Sequence, residues 1–427
     1  MINLNPKSIA LIGANNKPGS VGLGLARNLL EGKNKRKIYF INPFQKKILE
    51  LKTFNKVSEV KNKIDLAIIA INAKIVPEVL NDCVQKGVKE VIIISSGFGE
   101  TGKPGEILEQ KIQEILKNKK IRVIGPNCLG IIRPSLKLNA TFAPITPREG
   151  NIAFLSQSGA LIDAIIDKSN SENLGFSTIV SYGNEMDVNL NEFLEFLEKD
   201  KETKTIIIYL EGIKKAREFF KIAKRISAKK PIIILKGGRT QKGKTAAKSH
   251  TASLAGSYEI FSGACSQFGL LQADTLEEVF DFAKILSWQP RIKNKISIIT
   301  NAGGAGVLAT DYAQNFGVET GNLIDLIGDA SSEKYKEAIL SELKKEEIGG
   351  IIVIQTVQFT TNPIENAKMV INAKKLFPKK AIVACFLGGN LSKKAVELLE
   401  KNKIPNYSDL KRSMAALNII INKNSPS

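Results

Sequence analysis

The sole histidine among 427 residues is His250. It lies in a stretch of small and hydroxylated residues, Lys236-Gly237-Gly238-Arg239-Thr240 through Ser249-His250-Thr251-Ala252-Ser253-Leu254-Ala255-Gly256. The apolar run Pro231–Leu235 just before it reads as a buried strand. A neutral imidazole nitrogen is nucleophilic near pH 7, and a phosphoramidate formed on it transfers its phosphoryl group readily. By residue type alone a lone histidine is more often an ordinary surface residue, so the surrounding motifs decide.

Several of those motifs suit anions. Gly13-Ala-Asn-Asn-Lys-Pro18-Gly19-Ser20-Val21-Gly22-Leu-Gly24 leads into an apolar helical pattern at Leu25–Leu30. Glycines there let backbone N–H groups approach a phosphate at a helix start, where the dipole also favours it. The G-x-G-x-x-G spacing is absent, and the second strand ends Ile41-Asn42-Pro43 without the acidic residue that holds an NAD ribose. A nucleotide phosphate with another adenosine grip fits better, and a plain glycine turn is the bland alternative. Ser95-Ser96-Gly97-Phe98-Gly99-Glu100 and Gly125-Pro126-Asn127-Cys128-Leu129-Gly130 follow later strands, so three glycine loops outline one cleft. Ser156-Gln157-Ser158-Gly159-Ala160 opens a further helix with hydroxyls and free amides, although serine is also a routine cap. Thr300-Asn301-Ala302-Gly303-Gly304-Ala305-Gly306-Val307 repeats the strand, tight loop, helix sequence.

One motif competes. Gly238-Arg-Thr-Gln-Lys-Gly243-Lys244-Thr245 matches the P-loop pattern G-x-x-x-x-G-K-T behind a strand and would make the protein a nucleoside triphosphatase. Its context is poor: Ala246–Gly256 reads as a small, hydroxylated loop rather than an apolar helix, and no strand ending in a magnesium-binding aspartate is obvious.

The elements that must position these residues come in repeats of strand and helix. Strands are expected at Ile9–Ile12, Ile38–Ile41, Leu66–Ile71, Val91–Ile94 and Ile121–Ile124, at intervals that suit helical crossovers. After the proline-containing link Ala143–Gly150 a second set follows at Ile152–Leu155, Ser177–Val180, Thr205–Leu210 and Ile232–Leu235. A third begins after Trp288-Gln-Pro290, with Ile296–Ile299, Gly350–Ile354 and Ala381–Phe386. The fold class is α/β with doubly wound parallel sheets, in three domains: 1–143, 144–290 and 291–427.

Composition narrows the rest. A 43% hydrophobic and 24% charged chain is that of a soluble globular protein. The absence of a signal-peptide pattern or an apolar stretch of roughly 20 residues leads us to expect a cytoplasmic protein, not a membrane one. Four isolated cysteines and one histidine complete no common zinc pattern, so no metal site is expected from them. The net charge of +20 comes from lysines dispersed along the chain, so nucleic acid is not the expected partner.

Taken in order, these motifs resemble the NDP-forming acyl-CoA synthetases, the family of ADP-forming acetate–CoA ligase and succinyl-CoA synthetase. The segment Lys236–Thr240…Ser249–Gly256 looks like the family's phosphohistidine loop. The loops at Gly13–Gly22, Ser96–Glu100, Gly125–Cys128, Ser156–Gly159, Tyr209-Leu210-Glu211-Gly212 and Asn301–Val307, with Asn322–Ala330 and Ile404–Ser408, match in the family's sequence. Ala252 stands where glycine is usual, and Ala305 interrupts an expected Gly-Pro-Gly. The resemblance implies a Rossmann-like CoA-binding domain followed by two flavodoxin-like domains. It implies an alpha subunit that converts acyl-CoA, ADP and phosphate to acid, CoA and ATP, through an acyl phosphate and a phosphohistidine. His250 and Glu211 would be catalytic, Glu211 fixing the ring, although a solvated strand-end glutamate is the ordinary alternative. Gly13, Pro18, Gly19, Ser20, Val21, Gly22, Ser96, Gly97, Phe98, Asn127 and Cys128 would bind coenzyme A. Ser156, Gln157, Ser158, Gly159, Gly303, Gly304 and Gly306 would hold phosphate. All residues are consumed by three sheet units, so ATP or ADP with Mg2+ would come mainly through a separate ATP-grasp beta subunit, in an alpha2beta2 hetero-oligomer. A non-catalytic CoA-binding regulatory module would share the fold and often lacks the histidine.

Overall fold

The computed structural model describes residues 3–117, 119–251 and 257–421, without the side chains of 248–251. It divides into two compact units, Met1–Thr275 and Leu276–Ser427.

The first unit holds two seven-stranded sheets. In the first are β1 (Ser8–Ile12), β2 (Lys37–Ile41), β3 (Lys47–Ile48), β4 (Leu51–Phe54), β5 (Leu66–Ile69), β6 (Glu90–Ile93) and β7 (Arg122–Ile124). Their spatial order is β3-β4-β2-β1-β5-β6-β7, parallel except for the β3–β4 ladder. Without the short β3 this is the order 3-2-1-4-5-6 of a dinucleotide-binding sheet, whose ligand crevice lies at the carboxyl ends beside the first strand. β1, β5 and β6 are buried along their whole length, which is why they read as continuous apolar runs.

The second sheet comprises β8 (Gly130–Arg133), β9 (Leu138–Thr141), β10 (Glu149–Ser156), β11 (Phe176–Ser181), β12 (Thr205–Leu210), β13 (Ile232–Lys236) and β14 (Leu271–Ala273). Its order is β14-β13-β12-β10-β11-β8-β9. The five parallel strands run 2-1-3-4-5, the flavodoxin-like order, and the antiparallel pair β8–β9 extends one edge. One apolar core runs from the first sheet into the second, through Leu25, Ile92, Ile131, Leu155 and Phe193. The relative placement of the two sheets is therefore set by packing.

In the second unit β15 (Lys295–Thr300), β16 (Thr320–Asp325), β17 (Ile348–Gln355) and β18 (Ala381–Phe386) form a parallel sheet ordered β16-β15-β17-β18. A parallel bridge from Ala384 to Asn406 adds a vestigial fifth position.

Two expectations need correction. β5 stops at Ile69, because Ile71 turns away to exchange hydrogen bonds with the Ser95 hydroxyl. The stretch expected to be a loop from Ala246 is helical as far as Thr251, in a helix that starts at Gln241. Alanine, lysine and glutamine there outweigh the hydroxyls.

Candidate active site

The helix Val21–Glu31 starts where the first glycine loop ends, and Ser20 caps it by accepting from the Leu23 amide at 3.2 Å. That leaves the Val21 and Gly22 amides as the first-turn donors open to an anion. A β-carbon on Gly22 would meet the Gly13 carbonyl oxygen at 2.1 Å, and one on Gly13, at φ +94°, the Ala70 oxygen at 2.1 Å. Only glycines let the helix, the loop and the chain just after β5 approach so closely.

At the carboxyl ends of the strands lies a cavity of about 980 Å³. It brings together Val21, Ser96, Gly97, Asn127, Cys128, Gln157, Ser158 and Gly159 from four loops. Gly13, Pro18, Gly19, Ser20, Gly22, Ser156 and Glu211 are not among its lining residues. Phe98 is wholly buried in the core on one face of the first sheet, so its side chain supports the loop rather than facing the cavity. Cys128 is buried too: its Sγ donates to the Ile93 carbonyl at 3.3 Å, and burial pushes the thiol up to about 12.

Sequence reasoning missed Asn184, the residue that ties these loops together. Its amide nitrogen donates to Glu100 Oε2 at 2.6 Å and Glu109 Oε1 at 3.1 Å, while its Oδ1 accepts from Asn127 at 3.3 Å. Burial works against ionisation of Glu100. The bonds from Asn184 and from the Gly97 and Phe98 amides outweigh it and hold the carboxyl below its ordinary range. Asn184 follows Gly183 directly beyond β11, a carboxyl-end position that could have flagged it.

The helix Gly159–Ser171 begins on the opposite wall, capped by Ser158 onto the Leu161 amide. Ser156 Oγ donates to the Ser158 carbonyl and accepts from its amide, so that hydroxyl is occupied within the turn. Gln157 reaches across to β12: its Oε1 accepts from the backbone amides of Glu211 and Gly212, and its Nε2 donates to the Gly212 carbonyl. Glu211 is nearly buried at the end of β12 and accepts from the Tyr209 hydroxyl at 3.1 Å. The loop after β13 passes directly over it, since a β-carbon on Gly237 would meet the Tyr209 oxygen at 2.9 Å and Glu211 Cγ at 3.3 Å. Lys236 Nζ donates to the Glu211 carbonyl at 2.6 Å and to that of Gly237, and burial lowers its pKa to about 8.

That loop feeds the helix Gln241–Thr251, which packs against the turn Gly99–Thr101 beside the cavity. The backbone of His250 is in this helix, whereas its ring lies outside the described residues. The same helix disposes of the P-loop reading. Gly243, Lys244 and Thr245 are already helical: the Lys244 amide donates to the Thr240 carbonyl at 2.8 Å, and the Thr245 hydroxyl to Gln241 at 3.2 Å. Those amides and that hydroxyl are not turned toward a phosphate.

In the second unit Gly303 and Gly304 open the helix Gly303–Phe316, and a β-carbon on Gly303 would lie 2.7 Å from Asp325 Oδ2. Gly306 is covered by Leu323. Among the described residues no helix is long and apolar enough to cross a membrane.

Comparison with known proteins agrees with this layout. Residues 7–134 match a CoA binding domain and residues 149–286 a succinyl-CoA ligase like flavodoxin domain. The alpha subunit of acetate–CoA ligase (ADP-forming) I from Pyrococcus furiosus is 40% identical, over 97% of this chain and 96% of its own length. An acetate–CoA ligase (ADP-forming) from Methanocaldococcus jannaschii is 42% identical over 96% of this chain, which spans 61% of that longer protein. A dinucleotide-forming acetyl-coenzyme A synthetase 1 from Ca. Korarchaeum cryptofilum, solved with phosphate and ADP, superposes with a TM-score of 0.93. It shares 37% identity and covers 97% of this chain and 95% of its own.

Proposed function

This chain belongs to the family of ADP-forming acetate–CoA ligase alpha subunits, and on that ground we propose how its cavity and its histidine helix share one reaction. The protein is an acid–thiol ligase that uses coenzyme A and ADP or ATP and works with a partner subunit. In the direction of ATP formation, phosphate attacks the thioester carbonyl of the acyl-CoA and the CoA thiolate leaves, giving an acyl phosphate. Its phosphoryl group passes to His250, which hands it to ADP. The observation that carries this reading is the meeting of the first-sheet loops with the start of the helix Gly159–Ser171 in one cavity, beside the helix that bears His250.

Each candidate residue then has a task. The Gly13–Gly22 loop, Ser96, Gly97, Asn127 and Cys128 bind CoA, with Phe98 packing behind them. The amides of Gly159 and Ala160 cradle phosphate at a helix start, preorganised where charge develops. Ser156 and Ser158 shape that turn, and Gln157 fixes the Glu211 backbone. Glu211 accepts the second N–H of the His250 ring and stabilises its charged form. Gly303, Gly304 and Gly306 serve the nucleotide, and Asp325 beside them suits a phosphate that arrives with Mg2+ rather than bare. The domains are 1–143 for CoA, 144–290 for the histidine loop and 291–427 for the second flavodoxin-like unit. The partner is an ATP-grasp beta subunit, two copies pairing with two of this chain. Relatives that extend well beyond this chain's length support the need for additional polypeptide.

The test is His250→Asn in the complex reconstituted with the beta subunit. CoA-dependent ATP formation falls at least a thousandfold and radiolabel from ATP no longer enters the chain. Undiminished turnover by that variant would refute the phosphohistidine route.

A further inference from the structure

Several polar side chains lining the cavity bond to the protein itself. Ser95 is paired with Ile71, Asn184 with Asn127 and two glutamates, and Gln157 with the Glu211–Gly212 backbone. Asp163 Oδ1, by contrast, is buried and has no hydrogen-bond partner among the described residues. Among the described residues no other one lining the cavity carries such an atom.

Asp163 sits four residues after Gly159 in the helix Gly159–Ser171, so the two share a face, and both line the cavity. Helical side chains lean toward the N-terminus, which tilts this carboxyl back toward the first turn. Burial raises its pKa, consistent with a carboxyl that lacks a donor. A ligand bringing an N–H or O–H would relieve that desolvation. Lys74, in the turn after β5, is the one cation lining the cavity among the described residues, so anionic phosphates suit the first-sheet side and a donor suits the Asp163 side.

Resting on the CoA reading above, we propose that Asp163 is a ligand-binding residue of this cavity. It accepts a hydrogen bond from an N–H or O–H at the reactive end of the bound ligand. The donor is a hydroxyl or ammonium on the acyl group, or an amide of the CoA pantetheine arm.

The test is calorimetric titration of the full chain with CoA, butyryl-CoA and 3-hydroxybutyryl-CoA, for the unmodified protein, Asp163→Ala and Asp163→Asn. With an acyl donor, the unmodified chain prefers the hydroxylated ligand about tenfold, Asp163→Ala abolishes the preference, and Asp163→Asn, which keeps an acceptor, retains part of it. With a pantetheine donor, all three ligands weaken about tenfold in Asp163→Ala and their ratios persist. Unchanged affinities in both variants overturn the proposal and leave the CoA reading standing. No CoA binding by the unmodified chain would overturn that reading, and this proposal with it.

Discussion

Gln157 shows how one side chain can hold two elements in register. Its amide oxygen takes both the Glu211 and Gly212 N–H groups, so Gln157→Ala leaves two buried donors unpaired. We expect a stability loss of about 1–3 kcal/mol by denaturant unfolding, with turnover falling further because Glu211 is displaced. Lys236 gives a pH signature. Burial lowers its folded pKa from 10.5 to about 8, so between those values the unfolded chain binds more protons. Stability from this group therefore rises with pH across that window. Lys236→Met should flatten the corresponding rise in Tm between pH 8 and 10.5. Glycines and hydroxyls were legible in the sequence because their backbone chemistry is local. Asn184 and Asp163 were not, since their importance comes from partners, or from the lack of one, across loops distant in the chain.

The helix Val21–Glu31 approaches the first glycine loop closely. Gly22→Ala must push the helix off the Gly13 carbonyl, which moves the Val21 amide. The expected outcome is CoA binding weakened at least tenfold by calorimetry, with the far-UV spectrum unchanged. Strands buried on both faces, such as β1, β6 and β12, stood out as apolar runs. β16 did not, because its residues are exposed or half-buried at a sheet edge, and the hairpin β3–β4 is too short and polar to signal itself. The histidine helix was hidden for a related reason: small residues and Gly243 look like a loop until tertiary packing against Gly99–Thr101 pays for the helix.

At the scale of the molecule, every described residue lining the cavity belongs to the unit Met1–Thr275. That unit expressed alone should bind CoA within about threefold of the full chain; a larger loss would mean the second unit contributes to the site. The division into repeated α/β sheets followed from the spacing of apolar runs, whereas the antiparallel β8–β9 edge on the second sheet did not, because it lacks a helical crossover. The protein's own sulfur chemistry bears on the reaction it performs. All four cysteines are buried, and the one that lines the cavity has its proton held far above physiological pH. An enzyme whose product is a free thiol thus presents no competing thiolate to it. Incubation with oxidised CoA or iodoacetamide should leave the native chain unmodified by mass, and protected against the mixed disulfides that would otherwise poison its own binding site.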